Sequence, residues 1–206
     1  MQARVSNAGA SGAMDMDDPL ARFHAWLADA TSAGEPEPTA MALATADTLG
    51  VPNVRMVLLK QADARGFVFY TNLESPKVAE LRSNPVAALC FFWRTTKRQV
   101  RVDGRVEPVT DAEADAYFAT RPRLSQVGAW VSRQSQPMSG PLQLEQECAA
   151  FILRHGLRPI QRPPFWSGFR VVPSRIEFWS EKPFRRHERV RYVRDGETWQ
   201  TERLFP

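Results

Sequence analysis

Cysteine is scarce in this chain, with two in 206 residues. Cys90 lies inside the apolar run Ala87–Phe92 and Cys148 in a helical pattern, and neither has a second cysteine at metal-ligand spacing. Neither a disulfide framework nor a zinc site follows. Histidine is equally thin: His24, His155 and His187 are scattered, so no metal is expected. No stretch approaches the roughly 18 apolar residues of a membrane span, and the N-terminus lacks the basic-then-apolar order of a signal peptide. The expectation is a cytoplasmic protein with no membrane contact. GxGxxG, the Walker loop and the nucleophile elbow are also missing, which removes three common catalytic frameworks.

What is present is a globular balance, 43% apolar and 24% charged. Residues 1–17, rich in Ala, Gly, Ser, Asn and Asp without periodicity, read as a disordered tail. The remaining 18–206 read as a single domain. The net charge of +4 is uneven, since residues 153–206 hold eleven arginines and Lys182 against six acids. These arginines are interleaved with apolar, strand-like residues and there is no lysine-rich tail, so nucleic acid is not an expected partner. Planar guanidinium forks suit internal sites for small phosphorylated ligands better.

Asp18 caps a helix with Pro19 in its first turn and Leu20, Phe23, Trp26, Leu27 and Ala30 at helical spacing up to Gly34. Short β-branched and aromatic runs follow at Met41–Ala46, Val54–Leu59, Phe67–Thr71, Val86–Trp93 and Gln99–Val109, an antiparallel meander. Ser75 is placed to cap a helix beginning at Pro76 and Lys77. Thr110-Asp111-Ala112-Glu113 is a capping-box match opening a helix to about Thr120, and a third helix spans Leu142–His155 before Gly156. Strand patterns resume at Phe169–Val172, Ile176–Trp179 and Val190–Val193, and Asp195-Gly196 turns into Trp199–Leu204. Strands at both ends with helices between predict an α+β fold built on an antiparallel β-barrel or sandwich.

Four polar clusters stand out. Arg55-Met56-Val57-Leu58-Leu59-Lys60 is an apolar strand with a cation at each end. Tyr70-Thr71-Asn72-Leu73-Glu74-Ser75-Pro76-Lys77 runs from a strand into a helix start, where free N–H groups and Lys77 can hold a phosphate. Taken alone, exposed strand-end charges and an ordinary strand-to-helix turn are the commoner explanations of these two. Tyr117 and Arg121, four apart, precede Ser125–Ser135, a segment too rich in hydroxyls, amides and guanidinium groups to make core and suited to an anionic ligand. Phe178-Trp179 precedes Arg185-Arg186-His187-Glu188-Arg189, where an extended backbone puts Arg185, His187 and Arg189 on one face. A solvated edge strand is the alternative reading there.

Taken together, Arg55–Lys60, Phe69–Asn72, Arg98–Val100, Arg121–Ser135, Phe165-Trp166, Ile176–Trp179, the Arg185/His187/Arg189 spacing and the terminal Arg203–Pro206 resemble the pyridoxine/pyridoxamine 5′-phosphate oxidase family in order over about residues 20–206. The resemblance implies an FMN-binding split barrel with peripheral helices, and a homodimer with its active sites shared between subunits. It also implies oxidation of pyridoxine or pyridoxamine 5′-phosphate to pyridoxal 5′-phosphate, with O2 as acceptor and H2O2 as product. By the same resemblance FMN falls to Arg55, Met56, Val57, Leu58, Leu59 and Lys60, to Tyr70, Thr71 and Lys77, and to Gln99, Gln134, Ser135, Trp179 and Arg189. The substrate phosphate falls to Lys60, Tyr117, Arg121 and Ser125. Arg185, Arg186 and His187 face the substrate ring, with Arg185 and His187 as the catalytic pair. The flavin supplies the redox chemistry and the protein supplies position and electrostatics.

This chain departs from the family pattern at Pro76, where the family has Arg, at Glu181–Phe184 in place of a glycine-rich stretch, and at Arg186 in place of Leu. Two other functions fit parts of the pattern. One is the related flavin oxidase of phenazine-type biosynthesis, whose substrates carry no phosphate. The other is a non-catalytic split-barrel protein that carries or senses FMN or pyridoxal phosphate.

Overall fold

The computed structural model describes residues 18–206, so the tail expected over 1–17 lies outside the described residues. Helix α1, Pro19–Ser32, starts where the Asp18 carboxylate accepts the Leu20 N–H at 2.8 Å. Its Phe23, Trp26 and Ala30 are buried, one stripe of an amphipathic helix. Nine strands follow in one antiparallel sheet: β1 Ala40–Ala46, β2 Pro52–Leu58, β3 Gln61–Asp63, β4 Gly66–Asn72, β5 Val86–Trp93, β6 Arg98–Pro108, β7 Trp166–Ser180, β8 Glu188–Asp195 and β9 Thr198–Leu204. The order is β2-β1-β5-β6-β7-β4-β3, with β8 on β7 and β9 on β8.

The long strand β7 shapes this sheet. Along one side it pairs with β6, while on the other its first half pairs with β4 and its second half with β8. The sheet therefore divides along β7 and curls into the split barrel of an α+β fold. Sequence periodicity separates Phe169–Val172 from Ile176–Trp179, but the strand is continuous through a bulge. Asp103 faces Arg175 and Gly104 faces Pro173, which leaves Ser174 as the extra residue. A Cβ on Gly104 would stand 2.0 Å from the Val172 carbonyl oxygen, so only glycine fits there.

Phe23, Phe67, Phe91 and Trp93 meet largely edge to face at the centre of the main core. A smaller apolar cluster, Phe118, Val127, Ile160 and Trp166, lies where helices α3, Asp111–Thr120, and α4, Arg123–Val131, meet the start of β7. Thr110 and Glu113 cap α3 reciprocally, as the sequence pattern requires. Helix α2 spans Pro76–Ser83 and α5 spans Gln143–His155.

Three local expectations change. The polar segment from Ser125 is helical as far as Val131 and contributes buried Gln126 and Val127 to the smaller core. Ser75 makes no side-chain cap; its hydroxyl donates to the Asn72 carbonyl at 2.7 Å and accepts from Lys77. The backbone is not extended from Arg185, because Pro183–Arg185 form a single 3-10 turn with Phe184 and Arg185 both at φ +59°. Alternation on one face holds only from Glu188 onward. No helix among the described residues is long and apolar enough to cross a membrane.

Candidate active site

A cleft of about 900 Å³ opens between β2, β4, the start of α2, the end of α3, α4 and the segment 132–135. Arg55, Met56, Val57 and Leu58 line it from β2, with Lys60 just beyond the strand. Leu59 does not line it; that side chain is 5% exposed and packs in the main core. Tyr70 and Thr71 come from β4, Lys77 from α2, Tyr117 and Arg121 from the end of α3, Ser125 from α4, and Gln134 and Ser135 from the segment after it. Residues far apart in sequence thus share one concavity.

At one end Lys77 is set in neutral oxygens and Arg55 is anchored by a carboxylate. The Lys77 ammonium donates to Thr71 Oγ1 at 3.1 Å, Ser75 Oγ at 2.8 Å and Gln134 Oε1 at 3.2 Å. Burial, reinforced by the Arg55 charge, pushes the Lys77 pKa down to about 8, with Glu80 acting the other way. Arg55 donates to the Leu43 carbonyl at 3.3 Å and to Thr45 Oγ1, and pairs with Glu80 Oε2 at 3.4 Å. Asn53 donates to the other Glu80 oxygen at 2.8 Å. Glu80, three residues after Lys77 on α2, thereby holds Arg55, a role that was absent from the sequence reading. Its helical spacing from Lys77 is the only local trace of it.

At the other end aromatic rings replace oxygens. Tyr70 stacks on Tyr117 at 4.2 Å and on Trp166 at 5.1 Å, with interplanar angles of 14° and 5°. The Arg121 guanidinium lies 4.7 Å from the Trp166 ring centroid and 5.7 Å from that of Phe118. Its Nη1 is buried with no hydrogen-bond partner, and burial lowers its pKa. Gly168 faces Tyr70 across the β4–β7 ladder, and a Cβ there would meet the Tyr70 ring at 2.7 Å. The stack therefore depends on a glycine two residues beyond Trp166.

The remaining expected residues do not join this cleft within the chain. Gln99, Trp179 and Arg189 are register neighbours on β6, β7 and β8. Arg189 pairs with Glu177 at 2.9 Å through Nη2 and donates to the Phe205 carbonyl at 3.1 Å. The His187 ring lies 4.9 Å from Trp179, and its Nδ1 accepts the Lys182 N–H at 3.3 Å. Arg185 and Arg186 are exposed on the 3-10 turn and the residue after it.

Comparison with known proteins identifies the family. Residues 27–150 match the family described as pyridoxamine 5′-phosphate oxidase, and residues 166–206 match the pyridoxine 5′-phosphate oxidase C-terminal dimerisation region. Pyridoxine/pyridoxamine 5′-phosphate oxidase of Maricaulis maris is 52% identical over 99% of this chain and 93% of its own length. The protein of the same name from Rhodospirillum rubrum is 55% identical over 92% of this chain and 96% of its own. Among solved structures, PhzG from Burkholderia lata in complex with tetrahydrophenazine-1-carboxylic acid superposes with a TM-score of 0.86. It is 33% identical and covers 92% of this chain and 93% of its own. A pyridoxamine 5′-phosphate oxidase-related, FMN binding protein from Nostoc punctiforme shares the fold, with a TM-score of 0.76 at 16% identity over 92% and 98% of the two chains. Identity above half over nearly the full length, together with matches to the oxidase and dimerisation segments, means that this chain belongs to the pyridoxamine 5′-phosphate oxidase family.

Proposed function

We propose that the protein is an FMN-dependent oxidase that converts pyridoxamine 5′-phosphate and pyridoxine 5′-phosphate to pyridoxal 5′-phosphate, reducing O2 to H2O2. One observation carries the reading: Arg121 is a desolvated cation with an unpartnered buried nitrogen, on a cleft it shares with Tyr117, Ser125 and Lys60. Keeping such a donor dry and unpaired is costly unless a ligand completes it. A phosphate dianion matches two cations and two hydroxyls.

The donors at the opposite end fit a second phosphate, that of FMN. Lys77 has hydroxyl and amide oxygens around it and no carboxylate bond, while Arg55 is anchored on its far side by Glu80. In this reading Met56, Val57, Leu58, Tyr70, Thr71, Gln134 and Ser135 line the remainder of the cofactor site. FMN, when bound, supplies the two-electron redox chemistry. Tyr117, Arg121, Ser125 and Lys60 fix the substrate by its phosphate, and the rings of Tyr70 and Trp166 keep water from that end of the cleft.

The site is completed by a homodimer. Gln99, Trp179 and Arg189, with Arg185, Arg186 and His187, lie outside their own chain's cleft and are assigned to the cleft of a second copy. This assignment is supported by the dimerisation region over residues 166–206 and by an apolar face beside the cleft. Val54, Met56 and Phe92 are 70%, 65% and 55% exposed on β2 and β5, a surface suited to burial between subunits. Arg185 and His187 then orient the reacting carbon of the substrate.

A phenazine-type oxidase is the weaker reading. The relatives named for the phosphorylated vitamers share 52% and 55% identity with this chain, against 33% for the phenazine protein. Purified protein incubated in air with FMN and pyridoxamine 5′-phosphate should yield aldehyde and peroxide in equal amounts. Bound flavin with no product from either phosphorylated vitamer would contradict the enzyme and leave a carrier or sensor.

A further inference from the structure

A buried guanidinium can be held by a carboxylate, by carbonyl oxygens or by a ring face, and only the last leaves all its N–H donors unused. Elsewhere in this protein arginines withdrawn from water also spend donors on oxygens. Arg22 lies over the Trp26 and Phe178 rings but donates through Nη1 to the Tyr192 hydroxyl at 3.2 Å. Arg162 pairs with Asp111 and Asp115 at 2.8 and 2.6 Å and donates to the Trp166 carbonyl at 2.8 Å. Arg170 pairs with Asp63, Glu107 and Glu113. Arg121 instead lies over the faces of Trp166 and Phe118, with Nη1 unpartnered.

We propose that Trp166 is a positioning residue for phosphate recognition, its indole face standing in for a counter-ion so that Arg121 is held in place with its donors free. The inference rests on the reading of this cleft as the site of a phosphorylated vitamer. A carboxylate in that place would compete with the incoming phosphate and would have to be displaced from a dry site. An indole attracts the cation through its quadrupole and competes for no hydrogen bond.

The indole is itself locked. It is 7% exposed, lies flat on Tyr70 and meets the edge of Phe118 at 5.2 Å and 68°. Its backbone is paired with Asn72 in the β4–β7 ladder. Arg162 ties the Trp166 carbonyl to two carboxylates of α3, the helix that carries Tyr117 and leads into Arg121. Tyr117 in turn stacks on Tyr70. One aromatic platform therefore sets the position of both the hydroxyl and the guanidinium offered to the phosphate.

The test uses the FMN-loaded protein with Trp166→Phe, Trp166→Leu and Arg121→Ala, reading KM and kcat for pyridoxamine 5′-phosphate, kcat/KM for unphosphorylated pyridoxamine, and inhibition by inorganic phosphate. Trp166→Leu should raise the vitamer KM and the phosphate inhibition constant roughly 10-fold, the scale of a desolvated cation–π contact. Trp166→Phe, which keeps a smaller ring, should lie between Leu and wild type, with kcat and the pyridoxamine value little changed throughout. The positioning role is overturned if Phe at this position leaves both phosphate constants at wild type, or if phosphorylated and unphosphorylated substrates weaken alike. That decision stands on the Phe variant alone should the Leu variant fail to fold. Arg121→Ala separates the two levels: an unchanged vitamer KM there refutes the phosphate clamp itself. A large Arg121 effect beside a silent Trp166→Phe refutes only the positioning role.

Discussion

Arg170 is buried and Arg121 half-buried, yet the first is satisfied and the second is not. The Arg170 side chain is 3% exposed and meets carboxylates from three elements, Asp63 at 3.3 Å, Glu107 at 3.8 Å and Glu113 at 2.8 Å. It joins β7 to β3, to β6 and to the cap of α3. Arg121 meets rings and keeps a buried nitrogen without a partner. The first arrangement spends its donors on the fold; the second leaves them free, as the proposed phosphate clamp requires. A desolvated cation with an intact set of donors marks function more clearly than burial or charge alone.

The largest effect that checks this contrast is on stability. Arg170→Met removes the buried cation from Asp63, Glu107 and Glu113, of which Asp63 and Glu113 keep only the exposed Arg65. It should cost about 3 kcal/mol, the low end for breaking a buried pair because these carboxylates reach solvent. Denaturant unfolding measures it, and a variant as stable as wild type would erase the distinction between the two arginines. Gly168→Ala comes next. Its Cβ would press on the Tyr70 ring at 2.7 Å and the Phe69 carbonyl at 3.0 Å. A loss of about 1–3 kcal/mol is expected, together with a raised vitamer KM as the stack shifts. An unchanged KM would show that the stack does not position Tyr117 or Arg121.

A smaller effect concerns the opposite end of the cleft. The Lys77 pKa is about 8 in the fold against an ordinary value of 10.5, so between those values the unfolded chain binds the extra proton and the fold does not. The Lys77 contribution to apoprotein stability therefore rises as pH increases from about 8 to 10.5, and is most unfavourable below about 8, where the buried ammonium is charged in both states. With Lys77 as the proposed partner of the FMN phosphate, FMN affinity should have the opposite trend, because only the ammonium form pairs with the phosphate. Fluorescence titration should show weaker FMN binding by the apoprotein as pH rises through about 8. That dependence should vanish in Lys77→Met. The smallest effect is expected for Arg186→Leu. Leu is the residue that the family pattern has at this position, so turnover should stay within a few fold of wild type or rise. Loss of activity there, with Arg185→Ala harmless, would shift the catalytic assignment by one residue.

Much of the fold was legible because its signals are local. Asp18, the Thr110/Glu113 box and the alternation in β5 and β6 each state their element within a few residues. Helix α4 was not legible, since Pro122 provides no side-chain cap and Gly128 interrupts a polar stretch whose buried residues are few. The turn at Pro183–Arg185 was hidden for a different reason. Two consecutive non-glycine residues at positive φ go against local preference and are set by context. In the site, polar residues were recognisable from their clustering and from the family resemblance. Trp166, Gly168, Arg162 and Glu80 were not recognised, because each acts through a partner brought close only by the β4–β7 ladder, α3 or the β1–β2 pair.

The most direct measurement of the central claim is the steady-state KM of FMN-loaded Arg121→Ala for pyridoxamine 5′-phosphate, with unphosphorylated pyridoxamine as the reference substrate. Losing one charge-assisted bond, worth about 1.5–3 kcal/mol, should raise the vitamer KM roughly 10- to 150-fold. The value for pyridoxamine, FMN affinity and thermal stability should remain near wild type. A phosphorylated-vitamer KM that does not move, or a loss of stability like that expected for Arg170→Met, would contradict the account and make Arg121 another structural arginine.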